Sequence, residues 1–128
     1  MDKKEDVWEF EKLEQQLFSF VEEISELSHK KPNDAVNKFK LKFINTTLVK
    51  FNVILKDYRP FDDFEQFDVD ALPSNSDVGL ILSQYAGAAL RLRTEHTVNL
   101  LGDWFWIIRG KTSDVKTKRP ENFKQHRK

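Results

Sequence analysis

The chain has 128 residues, no net charge at neutral pH, 11 Phe, four Gly, four Pro and no Cys. That length predicts one domain with a modest core, and the missing Cys excludes a disulfide framework, thiolate catalysis and thiolate metal sites. No run approaches the roughly 18 apolar residues of a membrane span, and Met1 to Phe10 lacks an apolar signal region, so a soluble, cytoplasmic protein is expected.

The first element is a helix from Asp2 to His29. Phe10, Leu13, Leu17, Phe20, Ile24 and Leu27 alternate spacings of three and four, the seam of an amphipathic helix. Glu residues crowd its start and His29, Lys30 and Lys31 its end, both complementing the helix dipole. Pro32 stops it. A second helix is predicted from Asn33 to Tyr58, with the seam Leu41, Ile44, Leu48, Phe51, Leu55 and Tyr58. A further stripe, Val36, Phe39, Phe43, Thr47 and Ile54, predicts that this helix packs against neighbours on two sides.

Residues 60–76 read as a long connection. Phe61, Phe64 and Phe67 recur every three residues, with Asp62, Asp63, Glu65, Asp68 and Asp70 between them. The aromatics would pin the loop while the carboxylates face water. A third helix is predicted from Ser76 to Arg109, with Ser74 or Ser76 as N-cap and Gly110 as C-cap. Its seam, Val78, Leu82, Tyr85, Ala89 and Leu92, turns polar at His96, Asn99 and Asp103. These three would form a hydrogen-bonded patch; no metal site is expected. Tyr85 to Ala89 is small-residue-rich and suits close helix packing.

The expected fold is therefore all-α: three long helices in an antiparallel bundle over residues 1–110, followed by a disordered basic tail, 111–128. The tail holds seven Lys and Arg against two carboxylates, so the body carries the balancing negative charge. Trp104, Phe105, Trp106, Ile107 and Ile108 are apolar around a whole helix circumference, which one chain cannot easily bury. A homodimer with Trp104, Phe105, Trp106 and Ile108 in its interface is expected.

No Gly-rich phosphate loop, nucleophile elbow or metal-binding helix motif occurs, and no cofactor is expected. The leading functional expectation is a small intracellular binding or regulatory protein acting through protein–protein contacts. Its contact regions would be Asp62, Asp63, Asp68 and Asp70 on one side, and Lys116, Lys118 and Arg119 on the other. The basic tail could also contact nucleic acid phosphates. The alternative rests on Arg91-Leu92-Arg93-Thr94-Glu95-His96, which resembles the R-x4-H signature of HEPN ribonucleases, with Leu92 where that family favours a polar residue. The resemblance implies metal-independent RNA cleavage, with Arg91 on the phosphate and His96 as acid or base. On a continuous helix these two side chains diverge by about 140°, so a break near Thr94 or a dimer would be needed to bring them together.

Overall fold

The computed structural model describes residues 1–122. Three α-helices, α1 (Lys4–Lys30), α2 (Lys38–Leu55) and α3 (Asn75–Glu95), precede three strands, β1 (Thr97–Leu100), β2 (Asp103–Ile108) and β3 (Lys111–Thr117). The strands form an antiparallel meander in the order β1-β2-β3. Most of the predicted helical seams form the core: Phe10, Leu13, Leu17 and Ile24 of α1, Leu41, Ile44, Leu48, Phe51 and Leu55 of α2, and Val78, Leu82, Tyr85 and Ala89 of α3 are sealed from solvent.

Helix ends follow side-chain chemistry. Asn37, not Asn33 or Asp34, caps α2 by accepting from the Lys40 amide at 3.1 Å. The residues before it are taken by other bonds: Val36 N–H donates to Pro73 O at 2.9 Å and Asn75 N–H to Asp34 O at 2.8 Å. Ser74 caps α3 through the Asp77 amide. Two asparagines on α2 clasp the long connection. Asn45 makes a two-way bond with the Phe67 backbone, 2.9 Å each way, and Asn52 donates to Phe64 O and Glu65 O. Phe64 and Phe67 pack edge to face against one another, their centroids 5.1 Å apart.

The sheet overturns the all-α helical bundle expected from the sequence. Helix α3 stops at Glu95 rather than Arg109, and residues 97–117 turn instead to extended structure. Thr, Val, Trp, Phe and Ile dominate that stretch and fit a pleated, half-buried surface. Leu101-Gly102 and Arg109-Gly110 form two-residue hairpin loops, with φ of +54° and +93° in the first and +54° and +73° in the second. Positive φ at both central residues matches the right-handed twist of paired strands, and Gly supplies it without strain. Gly110, expected to cap a helix, closes a hairpin. The first part of the expected tail, 111–117, is β3; its end, 123–128 with Lys124, Arg127 and Lys128, lies outside the described residues.

The sheet also accounts for the all-round apolar run within a single chain. Trp106 is fully buried against α1, its ring edge to face with Phe10 at 5.5 Å. Ile108 packs against the same core, and Trp104 and Phe105 are half-buried. The β2–β3 ladder breaks register between Phe105 and Ile107. There the Ser113 hydroxyl donates to Trp106 O at 2.7 Å and accepts from Val115 N–H, replacing the lost ladder bonds.

One buried ion pair joins the sheet to the helices. The Arg93 guanidinium, 2% exposed, bonds both Glu14 carboxylate oxygens, at 2.7 and 3.1 Å. Its remaining donors reach Thr117 Oγ1 at 2.6 Å and Lys118 O at 3.1 Å. Its plane lies 4.9 Å from the Trp106 ring. Glu11 accepts from Thr117 Oγ1 and from Trp106 Nε1. Removing one partner of such a pair strands a buried charge, at a cost of about 3–5 kcal/mol, whereas removing both costs far less. Urea titration of Arg93→Ala is expected to show a loss of that size. The double variant Arg93→Met with Glu14→Leu is expected to recover most of it.

Candidate functional site

Two surfaces gather chemistry-bearing side chains. The first lies where α2 ends. Past Leu55 the chain makes a 3-10 turn, Lys56–Tyr58, which sets the Tyr58 ring against the C-terminus of α3. The Tyr58 hydroxyl donates to Glu95 Oε1 at 2.9 Å and lies 3.3 Å from His96 Nε2. A phenol has one proton, and a carboxylate only accepts. With that proton on Glu95, Tyr58 oxygen accepts from His96 Nε2–H, which leaves Nδ1 as the basic nitrogen of neutral His96. The Arg91 guanidinium stands 5.7 Å from the Tyr58 centroid. Arg91 and His96 thus meet on one aromatic ring, because α3 ends between them and His96 is its C-cap.

His96 also borders an open groove of about 480 Å³ between α1, α2 and α3. Ile54, Leu55 and Leu92 give it an apolar floor, and Asp2, Asp6, Glu9 and Asp57 an acidic rim. Partial burial lowers the His96 pKa below 6.5, an effect the nearby N-terminal amine reinforces and Glu95 opposes. Burial first, and then the bond to Glu95, raise Tyr58 above its ordinary 10.0.

The second surface is the outer side of α2. At 100° per residue, Phe39, Phe43, Thr46, Lys50 and Val53 fall on one stripe, about 160° from the core seam. Phe39 is 71% exposed, Phe43 55% and Val53 73%. The two Phe rings meet edge to face at 5.0 Å. Of the second stripe predicted for α2, Val36 and Thr47 are buried and Ile54 packs against the core, while Phe39 and Phe43 stay exposed. A groove of about 370 Å³, lined by Lys42, Asn45, Thr46, Val49, Lys50, Gln66 and Val69, runs along the same side.

The predicted contact residues are mostly engaged within the chain. Lys116 pairs with Asp103 at 3.2 Å, Lys118 with Glu14 at 3.5 Å and Arg119 with Glu121 at 3.5 Å. In the acidic loop, Asp70 pairs with Lys38 at 3.6 Å and Asp68 accepts from the Asp70 amide. Asp62 and Asp63 are exposed. The expected His96–Asn99–Asp103 patch is dispersed: Asn99 closes the first hairpin through Gly102 N–H, and Asp103 turns to Lys116. Among the described residues no cluster of three His, Asp or Glu side chains is placed to hold a metal ion, and no helix is long and apolar enough to cross a membrane.

Sequence reasoning missed Tyr58, which the seam assigned to the core, and gave Lys42 and Lys50 no role. The signal for the lysines was present: residues 38–55 carry four Lys and no Asp or Glu.

A His whose folded pKa is depressed is fully tolerated neutral above its unfolded pKa, near 6.5. As pH falls below that value the unfolded chain takes up the proton first, so stability declines until the folded pKa is passed. Urea midpoints of the native chain should fall between pH 7 and pH 5 by more than those of His96→Gln. Parallel pH profiles would remove His96 from this account.

The chain was compared with protein-family models, with curated proteins and with solved structures, and none of the three yields a match. Its function is therefore argued from the geometry alone.

Proposed function

We propose that this chain is a non-enzymatic binding protein that works through protein–protein contacts, with the outer side of α2 as its contact face. One observation supports the reading above the others: Phe39, Phe43 and Val53 stand more than half exposed on one side of a helix whose other side is the core. Single exposed apolar residues need no explanation, but an aligned set marks an interaction surface. Burying two Phe and two Val side chains would supply the apolar centre such interfaces need. Lys42, Thr46 and Lys50, exposed on the same side, would supply its polar surround. Self-association through Trp104–Ile108 draws no support from exposure, since Trp106 is buried under α1. A photo-crosslinking residue placed at position 43 in the living cell is expected to capture another protein, while the same residue at exposed Gln84 does not. Matching adducts at both positions, or none at position 43, would remove the support.

A second reading, metal-independent RNA cleavage by Arg91 and His96, keeps one specific support. Helix α3 ends at Glu95, so the two side chains meet at Tyr58 instead of diverging. A guanidinium suits a phosphate and a neutral imidazole suits proton transfer. On this reading RNA is cut in the presence of chelator by the native chain and not by His96→Ala. Cleavage unchanged by the substitution would be a contaminant's.

A further inference from the structure

Resting on the protein-contact reading, we infer that the outer side of α2 takes an acidic amphipathic helix from a different protein. The apolar stripe, Phe39 to Val53, is about 21 Å long, at 1.5 Å rise per residue. That matches roughly four turns of a partner helix laid alongside, the mode by which an apolar face fills a helical groove. The groove beside this stripe, lined by Lys42, Thr46, Val49 and Lys50, holds two lysines and no carboxylate, unlike the acidic-rimmed groove beyond Lys50.

Charge selects among the occupants. Helix α2 carries four Lys and no Asp or Glu. Lys38 and Lys40 are already paired, with Asp70 and Glu23. Lys42 and Lys50 are exposed and make no ion pair among the described residues. They lie beside Phe43 and Val53, about 12 Å apart along the helix axis. A partner helix meets both when it places two carboxylates seven or eight residues apart, beside an apolar seam. A second copy fits less well: antiparallel pairing of the same stripe centred on Thr46 sets Lys42 of one α2 against Lys50 of the other, and like charges so placed oppose that pairing.

The experiment uses the full chain and three probes. Two are synthetic 20-residue amphipathic peptides with the same leucine seam, one with Glu at the two flanking positions seven residues apart and one with Lys there. The third is a vesicle of mixed zwitterionic and anionic phospholipid. Binding is followed by amide chemical shifts and fluorescence anisotropy. The Glu peptide is expected to bind at least tenfold more tightly than the Lys peptide, with shifts confined to α2 and its flanking grooves, and to weaken as salt rises. Lys42→Glu with Lys50→Glu should reverse the preference. Phe39→Ser with Phe43→Ser should weaken the Glu peptide at least tenfold while lowering the urea midpoint only slightly, because both rings are more than half exposed and pack chiefly on each other.

Equal binding of the two peptides, or shifts that map to the sheet, would overturn the inference. So would concentration-dependent dimerisation that the Phe39→Ser, Phe43→Ser variant abolishes; that result would keep a protein contact at α2 but make a second copy its occupant. Vesicle binding without peptide binding would overturn both the inference and the protein-contact reading. A crosslink at position 43 to a basic or extended segment would overturn the acidic helix alone.

Discussion

Arg93 stands less than one turn before α3 ends, and its guanidinium ties α3 to α1 and to two strands of the sheet. It binds Glu14 on α1, Thr117 at the end of β3 and the Lys118 backbone, and it covers the Trp106 ring on β2. A buried guanidinium has five donors to satisfy and must be held in one place to satisfy them. Four protein acceptor atoms do so here, and Glu11 lies 3.7 Å from Nη2. The sheet's position follows. Trp106 can be buried beneath Arg93 only if β2 crosses α1 near Phe10, and β3 can supply Thr117 only if the meander folds back toward α1. Lys118 adds a further contact to Glu14, so the chain beyond β3 is also drawn against α1.

This anchoring also sets the geometry of both candidate surfaces. With α3 fixed at Arg93, its C-terminus stops at Glu95 and turns His96 toward Tyr58. With α1 and α3 making the most extensive helix–helix contact, α2 packs across them by one side only. Its outer stripe is left uncovered, while Asn45 and Asn52 spend their side chains on the long connection. The arrangement resembles a bundle one helix short of closure along α2.

The helical part of this fold is legible because its signals are redundant. Each helix has a three-four seam and a cap or breaker at its ends. Residues 97–117 are legible too, but through a different rule. Trp104 to Ile108 is a short continuous apolar run of aromatic and β-branched residues, and Gly102 and Gly110 bound it eight residues apart. Extending the 3.6 period of α3 across them absorbed Trp104–Ile108 into a helix that does not exist. The turns are easily overlooked because Leu101 and Arg109, not Asn or Asp, hold their first positions. The buried ion pair was hidden for another reason: Glu14 and Arg93 are 79 residues apart, and nothing local marks a charged residue as buried. A spacing of four suits a surface pair between Arg91 and Glu95, yet Tyr58 takes the Glu95 carboxylate. Arg91 lies over the ring of that same tyrosine.

The separation of Glu14 from Arg93 along the chain has a consequence for the order of assembly. During synthesis α1 emerges first, and Glu11 and Glu14 then face water on a helix whose partners have not been made. The helical seams of α1 and α2 join through shorter loops and can meet early, since closing a short loop is cheap and fast. The meander is likewise local: its two hairpins close over two-residue loops whether or not the helices have docked. Only the clasp of sheet onto helix waits, because Glu11 must find Trp106 and Thr117 across 95 and 106 residues. The contacts between sheet and helix therefore carry the largest loop-closure cost in the molecule. The last water to leave the molecule is then the water around Arg93.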